Sequence, residues 1–286
     1  MKTKYIALVV LTALVVFQSC NKIEGPYIKE GNVVWNGRKI IIYDLTGHRC
    51  GNCPRAHEII SDLLGVYGDA IVPIAIHTTG FATPLTNDTA YPFHYDFRTD
   101  IGNELGGVDE GTGYYGELFL PTGLINNLSP ASLKPRESWA TEVAKLISTY
   151  PEYLVYLEST YSTTDSIIDC EVRVATNIKN SRKLFLTVFI LEDGIIEWQS
   201  DYSIAGGEIE KYEHNHVLRA GMNGSFGEVI KDNINSTVIG DVITKTYTKK
   251  ASADWKIANC SLVAFVYDPD TQEILQAETR HIGEDE

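Results

Sequence analysis

The chain has 286 residues, 44% of them hydrophobic, with 24 basic against 38 acidic side chains, a formal charge of −14 and five cysteines. That apolar content builds a core, so a disordered chain is excluded, and the length allows one or two domains. The acidic balance and the lack of any Lys/Arg cluster exclude a nucleic-acid binder, because phosphate contacts need clustered cations, and they disfavour anionic lipid headgroups for the same reason. Five cysteines are too few for a disulfide scaffold of this size, and the odd number leaves at least one for a use other than intramolecular pairing.

In chain order, residues 1–4 form a short basic head and residues 5–17 an apolar run. The run is too short to cross a hydrocarbon layer of ~30 Å as a helix. It reads as a signal peptide, residues 1–19, ending in Phe17-Gln18-Ser19-Cys20, which looks like a relaxed bacterial lipobox. Cys20 is then the lipidated new N-terminus, followed by a linker over residues 20–36. Removing Lys2 and Lys4 leaves 22 basic against 38 acidic side chains, a charge of −16, so the hold on the membrane is lipid rather than electrostatic. An exported chain keeps its other cysteines where disulfides persist.

Residues 39–44 are β-branched and continuous, as in a strand buried on both faces. They lead into Thr46-Gly47-His48-Arg49-Cys50-Gly51-Asn52-Cys53-Pro54, after which Ile59, Ile60, Leu63 and Leu64 take core spacing on a helix that Gly65 or Gly68 ends. Residues 70–77 form the next buried strand. A polar, aromatic segment over residues 78–115 follows, with residues 93–105 read as a helix. Residues 118–126 read as a strand with Pro121 at its entrance, and residues 136–149 as an amphipathic helix carrying Trp139, Val143, Leu146 and Ile147. Strand, CxxC, helix, strand, helix, proline, strand, helix is the thioredoxin order.

The chemistry follows from that placement. A CxxC at a helix start sets the first sulfur beside unpaired N–H groups and the positive end of the dipole, which favours thiolate. Cys50 is the nucleophile on this reading, with His48 and Arg49 adding positive charge, and Cys53 is the buried resolving partner. Asp44 stands six residues before Cys50, where thioredoxins carry a buried carboxylate that moves the second cysteine's proton. Its alternative is a surface or capping role. Pro121 matches the proline such folds hold in cis opposite the CxxC, where neighbouring backbone pairs with substrate. Haem attachment is excluded because Pro54, not His, follows Cys53. A His48/Cys50/Cys53/His57 zinc set is disfavoured by the strand-to-helix context and by export. No cofactor or metal is expected, and a purely structural disulfide stays open.

The residues 44–57, the Leu120-Pro121-Thr122-Gly123-Leu124-Ile125-Asn126 segment and the later Tyr212-Glu213-His214-Asn215-His216-Val217-Leu218-Arg219 together resemble the twenty-eight-kilodalton outer-membrane lipoprotein family. The resemblance implies an outer-membrane lipoprotein with a thioredoxin-like domain followed by a β-sandwich, in a group described by location or as adhesins. Arg49 and Asn52 depart from thioredoxins proper, which carry Trp and Pro there.

The pattern changes near Tyr150-Pro151, giving domains over residues 37–150 and 151–286. In the second, residues 167–174, 183–191, 241–248 and 261–267 read as strands, and residues 273–280 close a terminal hairpin after Asp268-Pro269-Asp270-Thr271. The expected fold is an α/β thioredoxin-like N-terminal domain with an all-β immunoglobulin-like sandwich C-terminal domain. Cys170 and Cys260 lie within strands as buried thiols or a disulfide. His214 and His216 share a face if their segment is a strand, but two imidazoles make a poor metal site.

Two functions remain open. One is thiol-disulfide exchange on an envelope or surface protein, with Cys50, Cys53, Asp44 and Pro121 as its site. The other is a non-enzymatic surface binding protein or adhesin, with Tyr91, Phe93, Tyr95, Phe97, Tyr114 and Tyr115 as an aromatic interface. An accessible Cys50 favours the first, a buried one the second.

Overall fold

A computed structural model describes residues 37–109, 111–232 and 236–283. The expected signal peptide, Cys20 and the linker lie outside them. Strand β1 (Ile40–Thr46) is buried at every position. It turns through the CxxC loop into helix α1 (Pro54–Tyr67), with Pro54 in the first turn, where its missing N–H leaves nothing unsatisfied. Gly68, at φ +57°, ends the helix with its N–H on the Leu64 carbonyl. Strand β2 (Ile71–His77) follows, in parallel register with β1 from Ile40 opposite Ile71 to Thr46 opposite His77.

Helix α2 (Asp100–Gly106) is shorter than the expected 93–105 helix. Thr99 caps it by accepting from the Gly102 N–H, and Phe93 has a positive φ of 57° that no helix allows. Strand β3 (Thr122–Ile125) runs antiparallel to β1, with Leu45 opposite Thr122. The peptide before it, Leu120–Pro121, is cis. After β4 (Lys134–Pro135), helix α3 (Trp139–Leu146) buries Trp139, whose indole donates to the Lys134 carbonyl at 3.1 Å.

The remaining strands are β5 (Tyr153–Ser162), β6 (Ile167–Thr176), β7 (Leu184–Glu192), β8 (Ile195–Ser200), β9 (Glu208–His214), β10 (Val217–Gly221), β11 (Glu228–Lys231), β12 (Val242–Lys250), β13 (Cys260–Tyr267) and β14 (Ile274–His281). The fold is β-rich, and its main sheet mixes parallel and antiparallel pairs. That sheet has nine strands, in the order β14-β13-β7-β10-β2-β1-β3-β4 with β11 also on β7. Strands from both sides of Pro151 therefore share one sheet, joined where Val217 of β10 pairs with Ala75 of β2.

Alternation along β1 sorts three packing layers. Ile40 and Ile42 meet Ile60, Leu63, Trp139 and Val143 of the helices. Ile41, Tyr43 and Leu45 point the other way, into a core shared with Phe189, Phe265 and Tyr267. The opposite face of β7 and β13 packs on the three-stranded sheet β12-β6-β5 through Val155, Leu157, Ile168 and Val172. Cys170 and Cys260 sit in this layer as free, buried thiols and form no disulfide with each other. The β8–β9 pair stands apart as a two-stranded sheet.

Candidate functional site

Because Ile40, Ile42 and Asp44 share one face of β1, Asp44 points toward α1, and it is fully buried. His57, in the first turns of α1, places Nε2 3.2 Å from Asp44 Oδ2 and 3.2 Å from Thr46 Oγ1. Its Nδ1 lies 2.6 Å from the hydroxyl of Tyr212 on β9. Burial raises the Tyr212 pKa, so the phenol keeps its proton. The hydrogen-bonded chain runs from Tyr212 through His57 to Thr46, with the Asp44 carboxylate at ion-pair distance from His57. Neither Asp44 oxygen has a hydrogen-bond partner.

Cys50 and Cys53 form a disulfide at the start of α1. Both are buried, Cys50 at 3% exposure and Cys53 at 0%. The loop between them is held from two sides. On one, the Arg49 N–H donates to the Phe81 carbonyl at 3.0 Å, and the Arg49 guanidinium donates to the Gly80 and Thr83 carbonyls. On the other lies the β8–β9 hairpin. Ser200 N–H donates to the His48 carbonyl and Tyr202 N–H to the Gly51 carbonyl, both at 2.8 Å. The Gln199 amide donates to the Cys50 carbonyl at 3.0 Å and reaches the Gly47 carbonyl at 3.4 Å. The Tyr202 ring lies so close over Gly51 that a Cβ there would come within 2.4 Å of it. Gly51 is therefore the residue that lets this strap lie flat on the bridge.

Of the two positive charges expected beside Cys50, Arg49 remains and His48 supplies none. His48 is buried among Phe93, Phe97 and His77, with neither ring nitrogen hydrogen-bonded. Burial lowers its pKa to about 4, so it is neutral at pH 7. Pro121 immediately precedes β3, one residue before the Thr122–Leu45 pair. Phe93, Phe97 and Tyr115 of the aromatic segment are core residues, while Tyr91 and Tyr114 are exposed. His214 is buried and stacks near Phe97 and Tyr212, whereas His216 turns to Asp193. Among the described residues no group of three or more His, Cys, Asp or Glu side chains is placed to hold a metal ion.

Sequence reasoning missed His57, Tyr212, Gln199 and Tyr202. The first stands one turn beyond the CxxC and was weighed only as a metal ligand. The others arrive from a hairpin some 150 residues away, where no local pattern marks them.

The family model for outer membrane protein Omp28 matches residues 110–286, more than half of the chain. This chain belongs to the Omp28 family. It is thereby an outer-membrane lipoprotein, as its N-terminal pattern leads one to expect. Among solved structures, this Omp28-family chain is similar in fold to HBP35 of Porphyromonas gingivalis, with 16% identity, a TM-score of 0.56, and coverage of 86% of this chain and 76% of that one. A protein of Agrobacterium tumefaciens matches at 12% identity and TM-score 0.50 over 87% of this chain and 96% of its own. A domain of the outer membrane lipoprotein Omp28 from Porphyromonas gingivalis aligns at 22% identity over 46% of this chain and 89% of that one, with a TM-score of 0.29. No curated protein matches the sequence.

Proposed function

We propose that this Omp28-family chain is a binding protein anchored by lipid on Cys20, in which a thioredoxin-like half and an immunoglobulin-like sandwich form the scaffold and the Cys50–Cys53 disulfide is a structural bridge. The cover over the bridge carries this reading. Exchange requires a thiolate to reach a disulfide sulfur, and here both cysteines are buried, with Tyr202 lying over Gly51 between them and the strap's backbone pairs on His48 and Gly51. Three or four hydrogen bonds at about 1 kcal/mol each hold that cover, so an open state is populated at roughly one part in a hundred to one in a thousand. Incubating the mature oxidised protein with dithiothreitol and counting alkylated thiols tests it. Reduction at least tenfold slower than that of an exposed CxxC disulfide is expected, and reduction at the exposed rate would refute the structural reading.

Thiol-disulfide exchange is a second reading, favoured by Asp44 and cis-Pro121 beside a CxxC at a helix start. In the reduced protein, Cys50 thiolate would attack a partner's disulfide and release one partner thiolate. Cys53, giving its proton to Asp44, would then attack the Cys50 sulfur and release the second. Asp44 would then hold that proton, and the strap would have to swing aside for an envelope protein to enter the Pro121 groove. A Cys53→Ser variant that accumulates a mixed disulfide at Cys50 would establish this reading. Absence of any adduct, with the slow reduction above, leaves the bridge structural.

A further inference from the structure

The segment that leads from Cys20 joins the body at Gly37 and Arg38, and the contacts of Arg38 fix which end of the molecule that is. Its guanidinium lies 3.5 Å from the Thr149 hydroxyl and pairs with Glu273 at 2.9 Å. Glu273 also meets Arg182 at 3.5 Å, and Arg182 holds Glu152 at 2.9 Å. Chain segments distant in sequence meet at this end. The Asn177 and Ile178 N–H groups donate to the Glu152 carbonyl, the Thr237 N–H to the Asn180 carbonyl and the Gly240 N–H to the Thr176 carbonyl.

The outside of this end is apolar. Tyr150, Ile178, Val238, Ile239 and Val242 are all exposed, Val238 and Ile239 at 65%. A closed turn holds the last three out. The Asp241 N–H donates to the Val238 carbonyl, the Val238 N–H donates to the Asp241 carboxylate, both at 3.1 Å, and Gly240 takes the φ of 90° that the tip requires. Clustered aliphatic side chains left in water are costly unless something covers them. The charges around them nearly cancel, since Arg182 is paired with Glu152 and exposed Lys179 is matched by exposed Asp241.

We propose that this end of the body docks on the bilayer that holds the lipid, with Ile178, Val238, Ile239 and Val242 entering the headgroup region and Tyr150 at its edge. The 17 residues from Cys20 to Asn36 reach at most about 60 Å, so a lipid on Cys20 keeps Gly37 within that distance of the membrane. Tethering turns docking into an intramolecular event at an effective concentration on the order of millimolar, which lets a patch too small to hold a free protein stay down. Val-rich surfaces make poor protein hot spots, and anionic headgroups would repel so acidic a chain, so the contact is with the zwitterionic and apolar part of the bilayer. Strand β1 starts beside Arg38 and ends at the CxxC loop about 20 Å further on, which turns the bridge and its strap away from the membrane. The proposal rests on the reading of this chain as anchored through Cys20 and gives that reading its orientation.

Bimane fluorescence of the lipidated mature protein in phosphatidylcholine vesicles tests it. The label goes on Ile239→Cys or, as the control at the other end, on Ala205→Cys, an exposed position on the strap; Cys170 and Cys260 are buried, and the bridge holds Cys50 and Cys53. With a doxyl-labelled lipid in the vesicles, quenching at position 239 is expected to be at least threefold that at position 205, and to be insensitive to salt. Ile178→Glu with Val238→Glu, both exposed changes, is expected to bring quenching at position 239 down to the control level. Equal quenching at the two positions, quenching that survives the two Glu changes, or a blue-shifted emission at position 239 without doxyl quenching, the mark of a second copy covering the patch, would each overturn the proposal. Mass spectrometry separates this outcome from the anchor itself. A mature protein without lipid on Cys20 rejects anchor and docking together, whereas a lipidated protein with equal quenching rejects the docking alone.

Discussion

A buried imidazole with an unpartnered ring nitrogen resists protonation, and the described residues hold three in one cluster. His48, His77 and His214 lie with ring centroids 6.5 Å apart for the first pair and 5.5 Å for the second, all shifted downward by burial. In the unfolded chain each takes a proton near pH 6.5. Folded His48 does so only near 4 and His214 near 3. Between pH 6.5 and 4 the unfolded state therefore binds more protons, so stability falls as pH drops through that window and is unaffected by these groups above it. Each contributes up to about 1.4 kcal/mol per pH unit. Urea midpoints measured from pH 7.5 to 4.5 are expected to decline steeply below 6.5, and His48→Phe, which suits the Phe93 and Phe97 surroundings, is expected to flatten the decline. A midpoint that stays level to pH 4.5 would contradict the burial argument. At this scale the sequence marked Cys50, Cys53, Asp44 and Pro121 because they carry a local spacing. It gave no sign that His48 would be neutral, since its aromatic surroundings come from residues 77–97 folding over it.

The strap is the element that decides how the CxxC behaves, and it was not legible in the sequence. Residues 208–214 are largely exposed and alternate weakly, so they lack the apolar signature that marked β7 or β13. The helix read over residues 93–105 survives only as Asp100–Gly106 because Phe93 and Phe97 are spent packing on His48 and His77 rather than on a helical face. Strands with a continuous apolar run, β1 and β2, were readable from the start, because burial on both faces leaves its mark on every residue. Two substitutions test the strap. Gln199→Ala removes the donor to the Cys50 and Gly47 carbonyls, a loss of about 1–3 kcal/mol. Gly51→Ala sets a methyl where the Tyr202 ring lies, and since Tyr202 is 67% exposed the ring moves away rather than the loop. Each is expected to raise the rate of dithiothreitol reduction of Cys50–Cys53 by about tenfold or more, following 1.4 kcal/mol per decade, with global stability lowered by no more than that same loss of about 1–3 kcal/mol. Unchanged rates in both would mean that the strap does not gate the bridge.

Across the whole molecule, one core serves both halves of the chain. The Tyr43 ring of β1 lies 6.4 Å from Phe189 and 6.2 Å from Phe265, which belong to β7 and β13. Arg38 pairs with Glu273 at 2.9 Å, and Lys39 pairs with Glu278, so the start of β1 is tied to the last strand. The described residues accordingly belong to one compact unit. Residues 37–150 alone would lose Phe189, Leu191, Leu218, Val263, Phe265 and Tyr267 from the core around Ile41, Tyr43 and Leu45, which argues that the halves unfold together. The cysteines supply a probe for each half: Cys50–Cys53 reports by reduction, and the free thiols Cys170 and Cys260, both pushed up to about 12 by burial, report by alkylation. In urea the two signals are expected to share one midpoint. Phe265→Ala removes a fully buried ring from the shared core at about 3–5 kcal/mol, moving both midpoints down by roughly 1–2 M together. If alkylation moved while reduction of the bridge stayed in place, residues 37–150 and 151–286 would be independent folding units and the shared sheet only a docking of one on the other.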